Sequence, residues 1–157
     1  MKTVYAVVAA AVALAAPAFA EGDPAKGEKE FKKCKSCHTI VSPEGEVVFK
    51  GGKTGPNLYG VVGAVAGSAD FKYGDGLKDA NAAGFVWTEE ELAAYMADAK
   101  GWLGANGFAE KTKMTYKLKK NGEHVAAYLA SVAPAPMEEA AEGDAATEET
   151  SEETKTE

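Results

Sequence analysis

Cys34 and Cys37 are the only cysteines in the chain, and one of its two histidines, His38, follows them in FKKCKSCHT. Two thiols three positions apart, with an imidazole beside them, suit three chemistries. A redox dithiol belongs at a helix N-terminus after a buried strand, near a βαβ pattern. Here a charged helical segment precedes the pair. A structural disulfide is possible in an oxidising compartment, but it leaves the glycine-rich middle of the chain without a core. A zinc site needs four ligands. His124 could complete the set, yet 85 residues separate it from His38, and zinc modules usually bring their second pair at short spacing. The third chemistry is covalent attachment of a c-type haem, for which C-x-x-C-H is the signature. Two thiols add to the two vinyl groups, and the next residue offers its imidazole to the iron. The spacing fits this reading best, with His38 as one axial ligand.

The other axial position decides between classes of function. A Met ligand closes the iron and raises its potential, which suits electron transfer; an open position suits gas binding or peroxide chemistry. Of the four methionines, Met1 falls in the leader and Met137 in the C-terminal segment. Met96 sits on the apolar face of a helix and reads as core. Met114 stands in the polar loop T-K-M-T-Y among lysines. A buried iron gives it a reason to be there; the bland alternative is a side chain plugging a loop. His124 competes as a ligand, but it starts a helix beside polar Gly122-Glu123 and reads as a surface residue.

The elements that must position these groups lie between two different ends. MKTVYAVVAAAVALAAPAFA has a basic start, an uncharged Ala/Val run and a small-residue cleavage site. Residues 1–20 are therefore expected to be a secretory signal peptide cut before Glu21. The alternative, an uncleaved anchor, needs a longer and more apolar run. From Pro134 the chain is dense in Glu, Ala and Thr, and 134–157 reads as a disordered acidic tail. The formal net charge of -7 is uneven. Residues 21–133 hold 15 lysines against 15 acids, whereas 134–157 hold one lysine against nine acids. There is no arginine, which argues against sequence-specific nucleic-acid reading.

Within 21–133, Asp23-Pro24 reads as an N-cap with proline at the first helical position. Lys26/Glu30 and Glu28/Lys32 are spaced for i,i+4 pairs, while Gly27 and Phe31 share another face. Residues 41–86 carry ten glycines and read as loop, with one helical turn near Asn57-Leu58-Tyr59. A loop this long needs something else to organise it, and a cofactor would serve. Thr88 and Glu91 form a capping box for a helix whose apolar face is Leu92, Tyr95, Met96 and Ala99, ending at Lys100-Gly101. A loop containing Gly104, Gly107 and EKTKMTYKLKK follows. A last helix spans about 122–132, with Val125, Tyr128, Leu129 and Val132 as its stripe. No strong strand is expected.

The order C-K-S-C-H, K-T-G-P-N-L-Y-G, F-K-Y-G, W-T-E-E-E-L-A-A-Y and T-K-M resembles the bacterial class I cytochromes c, in particular their long-chain soluble carriers. It covers about 24–132. The resemblance implies an all-α fold of three to five helices and glycine-rich loops around one covalent haem c, with 21–133 as the haem domain. It implies thioethers at Cys34 and Cys37 and axial ligation by His38 and Met114. Pro56 would accept a hydrogen bond from the His38 ring. Tyr73 and Trp87 would bond a propionate, Tyr95 would lie near the Met114 sulfur, and Thr112 would support its loop. Gly27 and Phe31 would pack on Tyr128 and Leu129. Two positions depart from the family pattern. Ala64 stands where a basic propionate neighbour is common, and D-A-K at 98–100 stands where D-P-K is common.

The function implied is a periplasmic, monomeric electron carrier. It would run between a quinol-oxidising cytochrome complex and a terminal oxidase, a reductase or a photosynthetic reaction centre. Lysines 32, 33, 35, 50, 53, 111, 113, 117, 119 and 120 flank the haem motifs. Their clustering suits acidic docking surfaces on redox partners.

Overall fold

The computed structural model describes residues 22–133. The expected signal peptide, its cleavage point and the acidic tail lie outside the described residues. The elements are α1 (Pro24–Phe31), β1 (Ile40–Val41), β2 (Val47–Phe49), α2 (Asp75–Ala82), α3 (Glu89–Ala97), α4 (Ala99–Ala105) and α5 (Gly122–Val132).

Asp23 starts α1 as the sequence predicts. Its backbone is extended, and its carboxylate accepts from the N–H groups of Ala25 and Lys26, with Pro24 at the first helical position. The expected i,i+4 ion pairs do not form. Lys26 instead pairs back to Asp23 at 3.2 Å, and Glu30 pairs forward to Lys33 at 2.5 Å. Both alternatives put the acid on the N-terminal side of its lysine, the order the helix dipole favours.

α1 crosses α5, the helix whose limits the sequence predicts best. Gly27 permits the approach: a β-carbon there would lie 1.9 Å from the His124 carbonyl oxygen and 2.7 Å from the Tyr128 β-carbon. Phe31 is fully buried. Its ring stacks edge-on against Phe49 at 4.8 Å and tilts against Tyr128 at 5.7 Å. Burying a phenylalanine stabilises the fold by about 1.5–3 kcal/mol. Val125 and Leu129 close the same core.

Elsewhere the structure corrects the sequence. β1 and β2 form a small antiparallel hairpin pairing Ile40 with Phe49 and Val41 with Val47; the sequence reading expected no strand. The alternation is short, and only Ile40 in it is fully buried, so the pattern is weak. The helical turn expected at 57–59 is absent. Asn57 instead bridges to Val41, accepting from its N–H and donating to its carbonyl. The helix in this glycine-rich stretch is α2, which buries Gly76 and Ala80.

The helix from Thr88 also ends earlier than expected. It stops at Ala97, and Asp98, in an extended conformation, ends α3 and caps α4 by accepting from the Gly101 N–H. Lys100, Gly101 and Gly104 therefore lie inside α4 rather than in a terminating loop. Thr88 caps α3 by accepting from the Glu91 N–H at 3.1 Å. The reciprocal half of the capping box is diverted: the Glu91 carboxylate accepts from the Trp102 indole N–H at 2.6 Å. A charged tertiary hydrogen bond outcompetes the local one.

Candidate cofactor site

The C-x-x-C-H segment folds as one tight turn at the end of α1. The Cys34 N–H bonds the Phe31 carbonyl, and the N–H groups of Cys37 and His38 both bond the Cys34 carbonyl, at 3.1 and 3.0 Å. Both thiols and the imidazole thereby reach one cavity of about 360 Å³. Cys34 is half-buried against the core, and Cys37 is exposed. Burial pushes the Cys34 thiol up to about 11. Hydrogen bonds from Thr54 and then Ser36 hold Cys37 below its usual range. A thiol as high as Cys34 is a poor partner in exchange chemistry.

His38 is fixed by its second nitrogen. Its Nδ1 lies 2.9 Å from the Pro56 carbonyl. A carbonyl only accepts, so Nδ1 carries the proton and Nε2 keeps its lone pair. Burial lowers the His38 pKa, outweighing the Pro56 bond, which acts in the other direction. The imidazole is thus neutral near pH 7. Gly55 fits beneath the ring, where a β-carbon would sit 2.5 Å from Cε1.

Met114 reaches the same cavity from the loop before α5. Its N–H donates to Thr112 Oγ1 at 3.1 Å, and that hydroxyl is paired with the Tyr95 hydroxyl at 2.9 Å. α3 therefore holds the methionine loop through Tyr95 and Thr112. Burial raises the Tyr95 hydroxyl pKa, the Thr112 bond opposing it.

Trp87 and Tyr73 complete the group, so all nine residues singled out from the sequence line one cavity. Trp87 is 5% exposed and packs against Trp102 at 4.9 Å and Tyr95 at 5.2 Å. Tyr73 stacks edge-on against Phe71 at 5.2 Å. Burial raises the Tyr73 pKa, with the Ala69 backbone opposing it. Ala64, Lys33 and Lys113 also border the space.

Sequence reasoning passed over Tyr59, Phe71, Thr54 and Tyr116, which line the cavity too. Their nearness to G-P-N-L, F-K-Y-G and T-K-M was the available signal. Met96, read as core, is buried at 7% exposure and also borders the cavity. His124, read as a surface residue, is largely buried; its Nδ1 accepts from the Asp23 N–H at 2.9 Å and ties the start of α1 to α5. That bond occupies the histidine a zinc site would have needed. Among the described residues no three acidic, Cys or His side chains gather as a metal site.

The donor set fits a covalent haem: two thiols, a neutral imidazole with its coordinating nitrogen unengaged, and a thioether, around a mostly apolar space. Comparison with known proteins agrees. No protein-family model matches the chain. Cytochrome c-551 of Roseobacter denitrificans is 54% identical over 134 residues, covering 84% of this chain and 96% of the relative. Cytochrome c2 of Rhodobacter capsulatus is 56% identical over 130 residues, covering 81% and 94%. The solved structure of Rhodobacter capsulatus cytochrome c2 superposes with a TM-score of 0.68 at 55% identity, covering 71% of this chain and 98% of that one. Ferric cytochrome c-550 of Paracoccus versutus gives 0.66 at 52% identity, covering 73% and 100%. With this fold, this motif and these relatives, the chain belongs to the bacterial class I cytochromes c of the c2/c-550/c-551 group, electron-transfer proteins that carry one covalently bound haem c.

Proposed function

We propose that the chain is a periplasmic, monomeric mono-haem carrier that moves single electrons from a quinol-oxidising cytochrome complex to a terminal oxidase, a reductase or a photosynthetic reaction centre. The observation that supports this most is the convergence of Cys34, Cys37, His38 and Met114 on one cavity. The N-terminal sequence supports export, and no helix among the described residues is long and apolar enough to cross a membrane.

When bound, the haem supplies a one-electron iron couple. The chain's task is to hold it still. Cys34 and Cys37 would anchor it as thioethers. His38 would ligate through Nε2, oriented by the Pro56 carbonyl. Met114 would ligate from a loop pinned by Thr112 and Tyr95, and Trp87 and Tyr73 would donate to a propionate. Because both ligand loops are hydrogen-bonded to other elements, little has to move when charge changes.

Around the mouth of the cavity the lysines favour acidic partner surfaces, which raises the association rate and makes it salt-sensitive. The second class of function, an open iron that binds gases or peroxide, is separated by carbon monoxide. The reduced native holoprotein should bind it negligibly, and Met114→Ala should bind it rapidly, both read by visible absorption. Rapid binding by the native protein would overturn the carrier reading.

A further inference from the structure

The lysines of the body are not neutralised evenly. Lys26, Lys33, Lys78, Lys100, Lys111 and Lys117 each have a carboxylate within 4 Å. Lys32, Lys35, Lys50, Lys53, Lys119 and Lys120 are exposed and have no ion pair among the described residues.

These six lie on segments that the fold draws together. The Gly52 N–H bonds the Lys35 carbonyl at 2.8 Å, and the Gly55 N–H bonds the Cys37 carbonyl at 2.9 Å, joining the first two lysine runs. The third run meets the first at the end of α1. Glu30, whose pKa is lowered chiefly by its bond to Lys33, also receives a bond from the Asn121 side chain. Lys33 and Tyr116 both border the cavity. The result is a rim of unmatched positive charge on one face.

The chain carries its own complement. Residues 134–157 hold nine acids and one lysine, and they continue from Ala133, directly after α5. That helix has 11 residues, so its two ends are about 17 Å apart. Lys119 and Lys120 stand just before its first residue. Five residues at full extension cover about 17 Å, which brings Glu138 within range of those lysines. All 24 residues could extend about 80 Å, ample for the whole rim.

We propose that residues 134–157 act as an intramolecular acidic ligand for this rim and compete there with acidic partner surfaces. Tethering gives the segment a local concentration of order millimolar, so weak charge pairing suffices to occupy the rim at low ionic strength. Salt releases it, because the Debye length falls to about 10 Å at 0.1 M and about 3 Å at 1 M. Binding of an external acidic surface would then pass through a maximum as salt rises. At low salt the chain's own acids cover the rim, and at high salt every charge pair is screened. The inference rests on the docking reading of the lysines given above.

The test compares two full-length holoproteins. One is native. The other carries Glu138→Gln, Glu139→Gln, Glu142→Gln, Asp144→Asn, Glu148→Gln, Glu149→Gln, Glu152→Gln, Glu153→Gln and Glu157→Gln. Amide chemical shifts are recorded for both at about 10 mM and 0.5 M ionic strength. Poly-glutamate is then titrated into each at low salt as the probe.

The inference expects shift differences confined to residues 32–35, 50–53 and 117–120 at low salt, vanishing at high salt. It also expects poly-glutamate to bind the neutralised variant about tenfold more tightly than the native chain. No shift difference on those segments, or equal poly-glutamate affinity for the two proteins, overturns it while leaving the docking surface standing. If poly-glutamate fails to perturb the rim of the neutralised variant as well, the docking reading itself falls, and the inference with it.

Discussion

At the α1–α5 crossing, protein packs on protein. Gly27 admits the α5 backbone, Phe31 is fully buried, and the ring contacts to Phe49 and Tyr128 are aromatic on aromatic. The stretch from Gly51 to Trp87 is built differently. Its one helix is α2, its turns are held by isolated backbone bonds such as Gly63 N–H to the Trp87 carbonyl at 2.8 Å, and many of its side chains face the cavity. One region supplies its own core. The other is a wall whose apolar inner surface awaits a cofactor. The contrast explains how a chain with ten glycines between 41 and 86 holds a defined fold: the missing contacts are delegated to a rigid, covalently held group.

The largest test removes that group. In Cys34→Ala/Cys37→Ala no thioether can form, and the wall should lose its organisation. We expect no haem in the purified chain by mass spectrometry, and no cooperative thermal transition by circular dichroism. A cooperative transition of native midpoint would break the comparison, since the wall would then be self-sufficient.

A smaller effect probes the crossing alone. Gly27→Ala places a methyl on the α5 backbone, which costs about 2–3 kcal/mol in overpacking even after the gain in helix propensity. Thermal melting should show the loss, while the absorption spectrum of the bound haem stays native. A perturbed spectrum would mean that the crossing and the wall are one unit.

The smallest effect concerns the junction between α3 and α4. Ala99 occupies the first position of α4, after the extended Asp98, where proline is well tolerated. Ala99→Pro should stabilise by about 0.4–1 kcal/mol through the unfolded chain, raising the midpoint by about 2–6 °C with spectrum unchanged. A lower midpoint would show that the Ala99 N–H or its buried surroundings matter more than chain entropy.

What the sequence made legible divides along the same line. α1 and α5 were readable because their signals are local: Asp23-Pro24 at one start, and a 3.6-residue stripe through Val125, Tyr128 and Leu129. The nine site residues were readable through motifs, which carry chemistry rather than geometry. α2 was hidden because Gly76 and a polar run mask its two buried positions. The break at Asp98 was hidden because Leu92, Tyr95, Met96 and Ala99 keep a continuous apolar rhythm across it. Only the extended backbone at Asp98 separates the two helices. The partnership of Glu91 with Trp102 could not be seen at all, since a capping box is inferred from spacing, whereas the choice between two donors is made by tertiary proximity.

The bond from the Asp23 N–H to His124 joins residues 101 positions apart. Closing a loop of that length costs about 2 kcal/mol more entropy than closing one of ten residues. Chains dominated by such distant meetings fold slowly. The two helices easiest to read locally are therefore among the hardest for the chain to bring together. Anything that shortens the intervening search, such as a group anchored at Cys34 and Cys37 and gripped again at Met114, would act on the rate of folding as well as on the stability of the product.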